Sequence, residues 1–231
     1  MRKILFIIVL AVFVLGGSIS SFATEPKPGE LLIIQERQEE LYRKDKLEDA
    51  LSAFIIISED NKKVQLHYYG TIDSQAAISL QNDIFVLKNR TKLRDIELYI
   101  YCFGGDMFAG FAMIESIKAA QRDGFKFTAY ATGAVGSMAI PLYAVCDKPR
   151  IAYHSTIFMV HPSTLGVGKQ MMTGADIQSQ TDLYNLSQDL YVSTLAEVTN
   201  LTKEDWLEKI EKDTWFSAEQ AQEWGLVDRI D

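Results

Sequence analysis

The sequence predicts an α/β fold, a mostly parallel sheet covered by helices on both faces. Three observations carry this. Short β-branched and aromatic runs alternate with helix-length segments along most of the chain, the pattern of strand–helix–strand units. Helix starts are marked by capping residues, such as Thr202 followed by Asp205 and Ser217 followed by Gln220. Two strand ends run into small-residue turns, Gly104-Gly105 and Gly133-Ala134-Val135-Gly136-Ser137.

Residues 1–23 stand apart. Arg2 and Lys3 precede an apolar run, Ile4 to Leu15, and Ser21-Phe22-Ala23 ends the segment. A basic start, a short hydrophobic centre and small residues at −3 and −1 predict an export signal cut after Ala23. The run falls short of the roughly 20 apolar residues of a spanning helix; an uncleaved anchor over residues 4–23 is the alternative. Either reading locates the protein outside the cytoplasm, periplasmic or otherwise extracytoplasmic.

Residues 24–63 read as a linker (Thr24 to Gly29), a charged and weakly amphipathic solvated helix (Glu30 to Phe54), and a first strand, Ala53 to Ile57. A turn at Glu59-Asp60-Asn61 leads into the main domain, residues 64–231. Its first strand is Val64 to Tyr69, and Asp73 starts a helix with Ala76, Ile78, Leu80, Ile84 and Leu87 as apolar positions. A strand from Ile96 to Phe103 ends at Gly104-Gly105, a helix runs from Met107 to Gln121, and a strand from Lys126 to Ala131 leads to the Ser137 turn. A helix from Met138 to Val145 follows, then short strands at Ile151-Ala152 and Thr156 to His161. Thr173 or Gly174 opens a long helix to about Val198. Helices after Thr202 and Ser217 and a closing strand or tail, Leu226 to Ile230, complete the chain.

A chain of 231 residues, 48% hydrophobic with a net charge of −8, is long enough for a sizeable core. It lacks the clustered Lys and Arg that a nucleic-acid partner needs. No CxxC, HExxH or His-rich pattern indicates a metal, and no cofactor motif appears. Cys102 and Cys146 are either a disulfide, which an oxidising compartment permits, or two buried thiols.

The chemistry centres on Ser137, at a strand-to-helix turn where orphan N–H groups can hold a developing negative charge. A plain N-cap is the structural alternative. A serine hydroxyl needs a base and oxyanion donors to act as a nucleophile. His161 closes the run Ile157 to Val160 and precedes Pro162, which puts an imidazole at a strand end; a half-buried structural histidine would look the same. Asp213, between Ile210-Glu211-Lys212 and Thr214-Trp215-Phe216, can orient that imidazole or be a solvated helix-end carboxylate. Gly104-Gly105 is either a second source of oxyanion donors or a tight turn.

Together, Gly104-Gly105, Gly133-x-x-Gly136-Ser137-Met138-Ala139, Met159-Val160-His161-Pro162 and Glu211-Lys212-Asp213…Ser217-Ala218-Glu219…Glu223-Trp224-Gly225-Leu226-Val227-Asp228 resemble the Clp protease proteolytic subunit (ClpP) family from about Val64 to Ile230. The resemblance implies a ClpP/crotonase-like fold. It also implies a Ser137–His161–Asp213 triad, oxyanion donors at the N–H groups of Gly105 and Met138, and peptide-bond hydrolysis in an enclosed homo-oligomeric ring. Leu165 to Tyr191 matches the element that joins rings, and substrate is peptide or unfolded protein. Phe103 stands where the family usually has proline, and Pro141 withholds an N–H from the Ser137 carbonyl. The family's usual partner is an ATP-driven unfoldase, which an exported chain would not meet.

Other readings are a serine–lysine dyad peptidase of the signal-peptide-peptidase type and a non-catalytic ring scaffold. In the dyad Lys148 would be the base, although Asp147 and Arg150 mark its surroundings as an exposed loop. An α/β-hydrolase is disfavoured because Val135 and Ala139 occupy the glycine positions of Gly-x-Ser-x-Gly. A crotonase-like acyl-CoA enzyme is disfavoured by the export signal.

Overall fold

The computed structural model describes residues 55–57 (backbone only), 63–164 and 171–231. The signal or anchor, the Glu30 to Phe54 helix, the 59–61 turn and the start of the ring-joining segment lie outside them. Among the described residues no helix is long and apolar enough to cross a membrane.

The strands are β1 (Ile55–Ile57), β2 (Val64–Tyr69), β3 (Asp95–Cys102), β4 (Lys126–Gly136), β5 (Asp147–Ala152), β6 (Ile157–Val160), β7 (Thr214–Ser217) and β8 (Arg229–Ile230). The helices are α1 (Ser74–Arg90), α2 (Met107–Arg122), α3 (Ala139–Ala144), α4 (Gly174–Ala196), α5 (Lys203–Lys209) and α6 (Ala218–Glu223). One eight-stranded sheet runs β1-β2-β3-β4-β5-β8, with β6 branching from β4 and carrying β7. Pairing is parallel except for the additions of β1 and β7. The predicted mostly parallel α/β architecture is the observed one.

Strand alternation sorts the side chains. Val64, Leu66, Ile96, Leu98, Ile100, Phe127, Ala129 and Ala131 share one core with Ala77, Leu80 and Leu87 of α1, Met113, Ile114 and Ile117 of α2, and Ile140 and Leu142 of α3. The other face of β2–β4 carries half-buried His67, Tyr99 and Tyr130, whose rings stack across strands at 4.8 and 4.6 Å. Buried and half-buried positions therefore alternate along each strand, which differs from the continuous apolar run of a strand buried on both faces. The helical layer of this core sits on the apolar face. The expected cover of helices on both faces is therefore corrected for β2–β4, whose other face carries the aromatic stack among the described residues.

Capping behaves as the local sequence dictates. The Asp73, Asp106, Thr173, Thr202 and Ser217 side chains all accept from backbone N–H groups in their first helical turns, the last three in reciprocal capping boxes.

The largest departure from the sequence reading is β4, which continues past Ala131 to Gly136. Its first part pairs with β5 through Thr128, Tyr130 and Ala131, and its last part with β6 through Ala134, Val135 and Gly136. Gly133, at φ +63°, lies between the two stretches, a conformation glycine adopts without a Cβ penalty. One strand thus serves two sheet branches and delivers Ser137 to the junction.

Arg150 corrects the expectation of an exposed loop. It lies within β5 at 1% exposure. Its guanidinium donates to both Asp228 carboxylate oxygens (2.9 and 3.1 Å) and to the carbonyls of Ala144, Val198 and Gly225. A buried cation is tolerated because it is paired and its donors are used. Cys102 and Cys146 are separate buried thiols, which resolves the disulfide alternative against a bridge; burial pushes both thiols up from their ordinary pKa.

Candidate active site

Ser137 follows the last residue of β4 and adopts φ +50°, the one left-handed non-glycine residue among those described. Such a conformation costs on the order of 1–3 kcal/mol and persists where its surroundings hold it. Three hydrogen bonds hold this one. The Ser137 N–H donates to the Met159 carbonyl (2.8 Å), and the Ser137 carbonyl accepts from the Ile140 N–H (2.9 Å) and the Tyr191 hydroxyl (3.1 Å).

Met138, not Ser137, is the N-cap of α3, and no side chain caps that helix. The Ser137 hydroxyl thus does not serve as a side-chain cap. It instead lies 2.8 Å from His161 Nε2. The pairing follows from the sheet: β4 and β6 are parallel with Gly136 beside Met159, so the residues just past both strand ends emerge together.

The glycine pair lies against the same turn. The Gly104 carbonyl accepts from the Ile72 N–H (2.9 Å) and the Asp106 N–H donates to the Ile72 carbonyl (2.8 Å), which stitches the loop to the start of α1. Gly105 sits at φ +151°, and a Cβ there would come within 2.1 Å of the Ile72 carbonyl oxygen. Among the described residues no acceptor pairs with the N–H of Gly105 or of Met138. Ser137, His161, Gly105 and Met138 all line one cleft of about 550 Å³, bounded also by Phe103, Phe108, Tyr184, Ser187 and Tyr191.

Asp213 is different. β6 and β7 are antiparallel with Val160 opposite Thr214, and, just as His161 immediately follows β6, Asp213 immediately precedes β7. The residue is exposed, and His161 bonds to Ser137 and not to this carboxylate. Four of the five predicted site residues thus meet in one cleft; Asp213 is not among the residues that line it.

Lys148 does not approach Ser137. Its ammonium is 73% exposed and pairs with Asp228 at 3.5 Å, whereas a lysine base needs desolvation. Sequence reasoning alone misses Tyr191. Pro141 is the only local signal: that residue withholds an amide donor from the Ser137 carbonyl, but nothing local says that a phenol 54 residues away supplies one.

Comparison with known proteins identifies the family. The family model for Clp protease matches residues 48–231, starting upstream of Val64. ATP-dependent Clp protease proteolytic subunit 1 of Corynebacterium jeikeium is 32% identical over 160 residues, covering 69% of this chain and 82% of the relative. Subunit 2 of Corynebacterium diphtheriae is 32% identical over 165 residues, covering 71% of this chain and 80% of the relative. In fold, the chain is similar to a point mutant of ClpP1 from Listeria monocytogenes, with TM-score 0.62 and 22% identity over 72% of this chain and 90% of the other. By the extent of the family match and the identity to these relatives, the chain belongs to the Clp protease family.

Proposed function

We propose that this chain is a serine endopeptidase acting outside the cytoplasm, in a homo-oligomeric ring, on peptides that are short or already unfolded. Ser137 is the nucleophile. His161 takes the Oγ proton as it attacks the scissile carbonyl, then returns it to the leaving amine. The N–H groups of Gly105 and Met138 hold the oxyanion; losing one such donor typically costs about 2.7–4 kcal/mol. Water then hydrolyses the acyl-enzyme by the same proton route. Asp213 orients His161 and stabilises its protonated form; catalytic hydrogen bonds are often long in a free enzyme and tighten with substrate.

One observation supports this above all: the 2.8 Å contact between Ser137 Oγ and His161 Nε2, made by a serine whose backbone is held left-handed at the cleft. The Arg2-Lys3 start, the Ile4 to Leu15 run and Ser21-Phe22-Ala23 support export. Export in turn favours action without an ATP-driven unfoldase, because substrate must then arrive unfolded.

The test is labelling by a fluorophosphonate probe of wild type, Ser137→Ala, His161→Ala and Lys148→Ala. Loss in the first two variants, with labelling retained in the third, is the expected result. Loss with Ser137→Ala and Lys148→Ala alone would establish the dyad. An assembled wild-type ring that never labels would favour the scaffold. The mass of the mature protein reports whether residues 1–23 are removed.

A further inference from the structure

We infer that Tyr191 is a positioning residue for the oxyanion site: its hydroxyl anchors the Ser137–Met138 peptide plane so that the Met138 N–H faces the cleft. This rests on the serine peptidase reading above.

The carbonyl of Ser137 and the N–H of Met138 belong to one peptide unit. In a planar trans peptide these two groups point in opposite directions. Whatever holds the carbonyl therefore aims the N–H. The Ile140 N–H supplies one donor to that carbonyl at 2.9 Å. The next amide along the chain that could share the same carbonyl is that of residue 141, but that residue is Pro141, which has no N–H.

Tyr191 fills the vacant role. It comes from α4, is 6% exposed, and donates to the Ser137 carbonyl at 3.1 Å. Burial pushes its phenol pKa well up, so the hydroxyl remains a donor wherever a neutral imidazole can act as base. The donor also serves a residue at φ +50°, where an unanchored peptide would relax by rotating. A second donor on the carbonyl polarises the peptide and strengthens its N–H as a donor on the other side.

Tyr191→Phe removes the hydroxyl and keeps the ring that lines the cleft. Steady-state cleavage of a fluorogenic peptide by the intact full-length protein is the readout, with fluorophosphonate labelling rate beside it. The expected result is a fall in kcat of about tenfold with KM nearly unchanged, the size expected for one uncharged hydrogen bond felt in the transition state. The labelling rate should fall in parallel. Adding Pro141→Ala to Tyr191→Phe restores an amide at position 141 and should recover most of the loss.

Unchanged kcat in Tyr191→Phe, or a rise in KM alone, overturns the role of Tyr191 while leaving the peptidase reading intact. A loss untouched by Pro141→Ala overturns the hydrogen bond as its cause. Wild type that neither labels nor cleaves removes the peptidase reading, and this inference with it.

Discussion

Gly104 lies so close to Ser137 that a Cβ added to it would stand 2.6 Å from the Ser137 Cβ and 2.8 Å from the Met138 nitrogen. The glycine is thus a steric requirement of the proposed nucleophile, and its φ of +96° adds a backbone requirement. The two strand-to-helix turns are built against each other, so neither can be altered alone. Gly104→Ala should lower kcat by on the order of a hundredfold or more and destabilise the fold by about 1–3 kcal/mol, the usual scale of overpacking. Peptide turnover and denaturant unfolding measure the two effects.

Asp213 precedes β7 where that strand pairs with β6, and no hydrogen bond joins it to His161 among the described residues. If the carboxylate orients the imidazole during turnover, Asp213→Asn should reduce kcat on the order of 10²- to 10⁴-fold with KM little changed. The loss should be smaller than that of His161→Ala. Steady-state kinetics on one peptide decide it, and an unaltered kcat would leave Asp213 a solvated carboxylate.

Lys148 is exposed, and its partner Asp228 is already engaged by Arg150. Exposed pairs contribute about 0–1 kcal/mol. Lys148→Ala should therefore shift stability by less than about 1 kcal/mol and leave peptide turnover unchanged. A large loss of turnover would revive the dyad.

Arg150 and Asp228 make the opposite case. Removing one partner leaves a buried guanidinium uncompensated, so Asp228→Asn should cost about 3 kcal/mol; the carboxylate's partial exposure, 21%, places it toward the low end of the range for such pairs. Desolvation works to raise the Asp228 carboxyl, but the hydrogen bonds and charge of Arg150 outweigh it and hold it below its ordinary 3.8. A carboxyl depressed on folding contributes fully above its unfolded pKa, and that contribution is lost as pH falls through the folded value. The stability gap between wild type and Asp228→Asn should accordingly stay constant near neutral pH and narrow below about pH 4. Denaturant unfolding across that range measures it.

Much of the molecule was legible in the sequence, for a local reason. Strand alternation, helix periodicity and caps act over a few residues, so Asp73, Thr173, Thr202 and Ser217 announced their helices wherever the chain was going. The residue types of the cleft were legible too, because an alcohol, an imidazole and paired glycines at strand ends are suited to the same chemistry. What the sequence could not hold was adjacency across the sheet. The bend of β4 onto two partners puts Ser137 beside His161, 24 residues later, and α4 returns Tyr191 to the Ser137 carbonyl. The same long-range packing buries Arg150 against Asp228, 78 residues later in the chain. Local propensities act through the backbone of one segment; these contacts exist only once segments far apart in the chain have paired, and tertiary packing decided them.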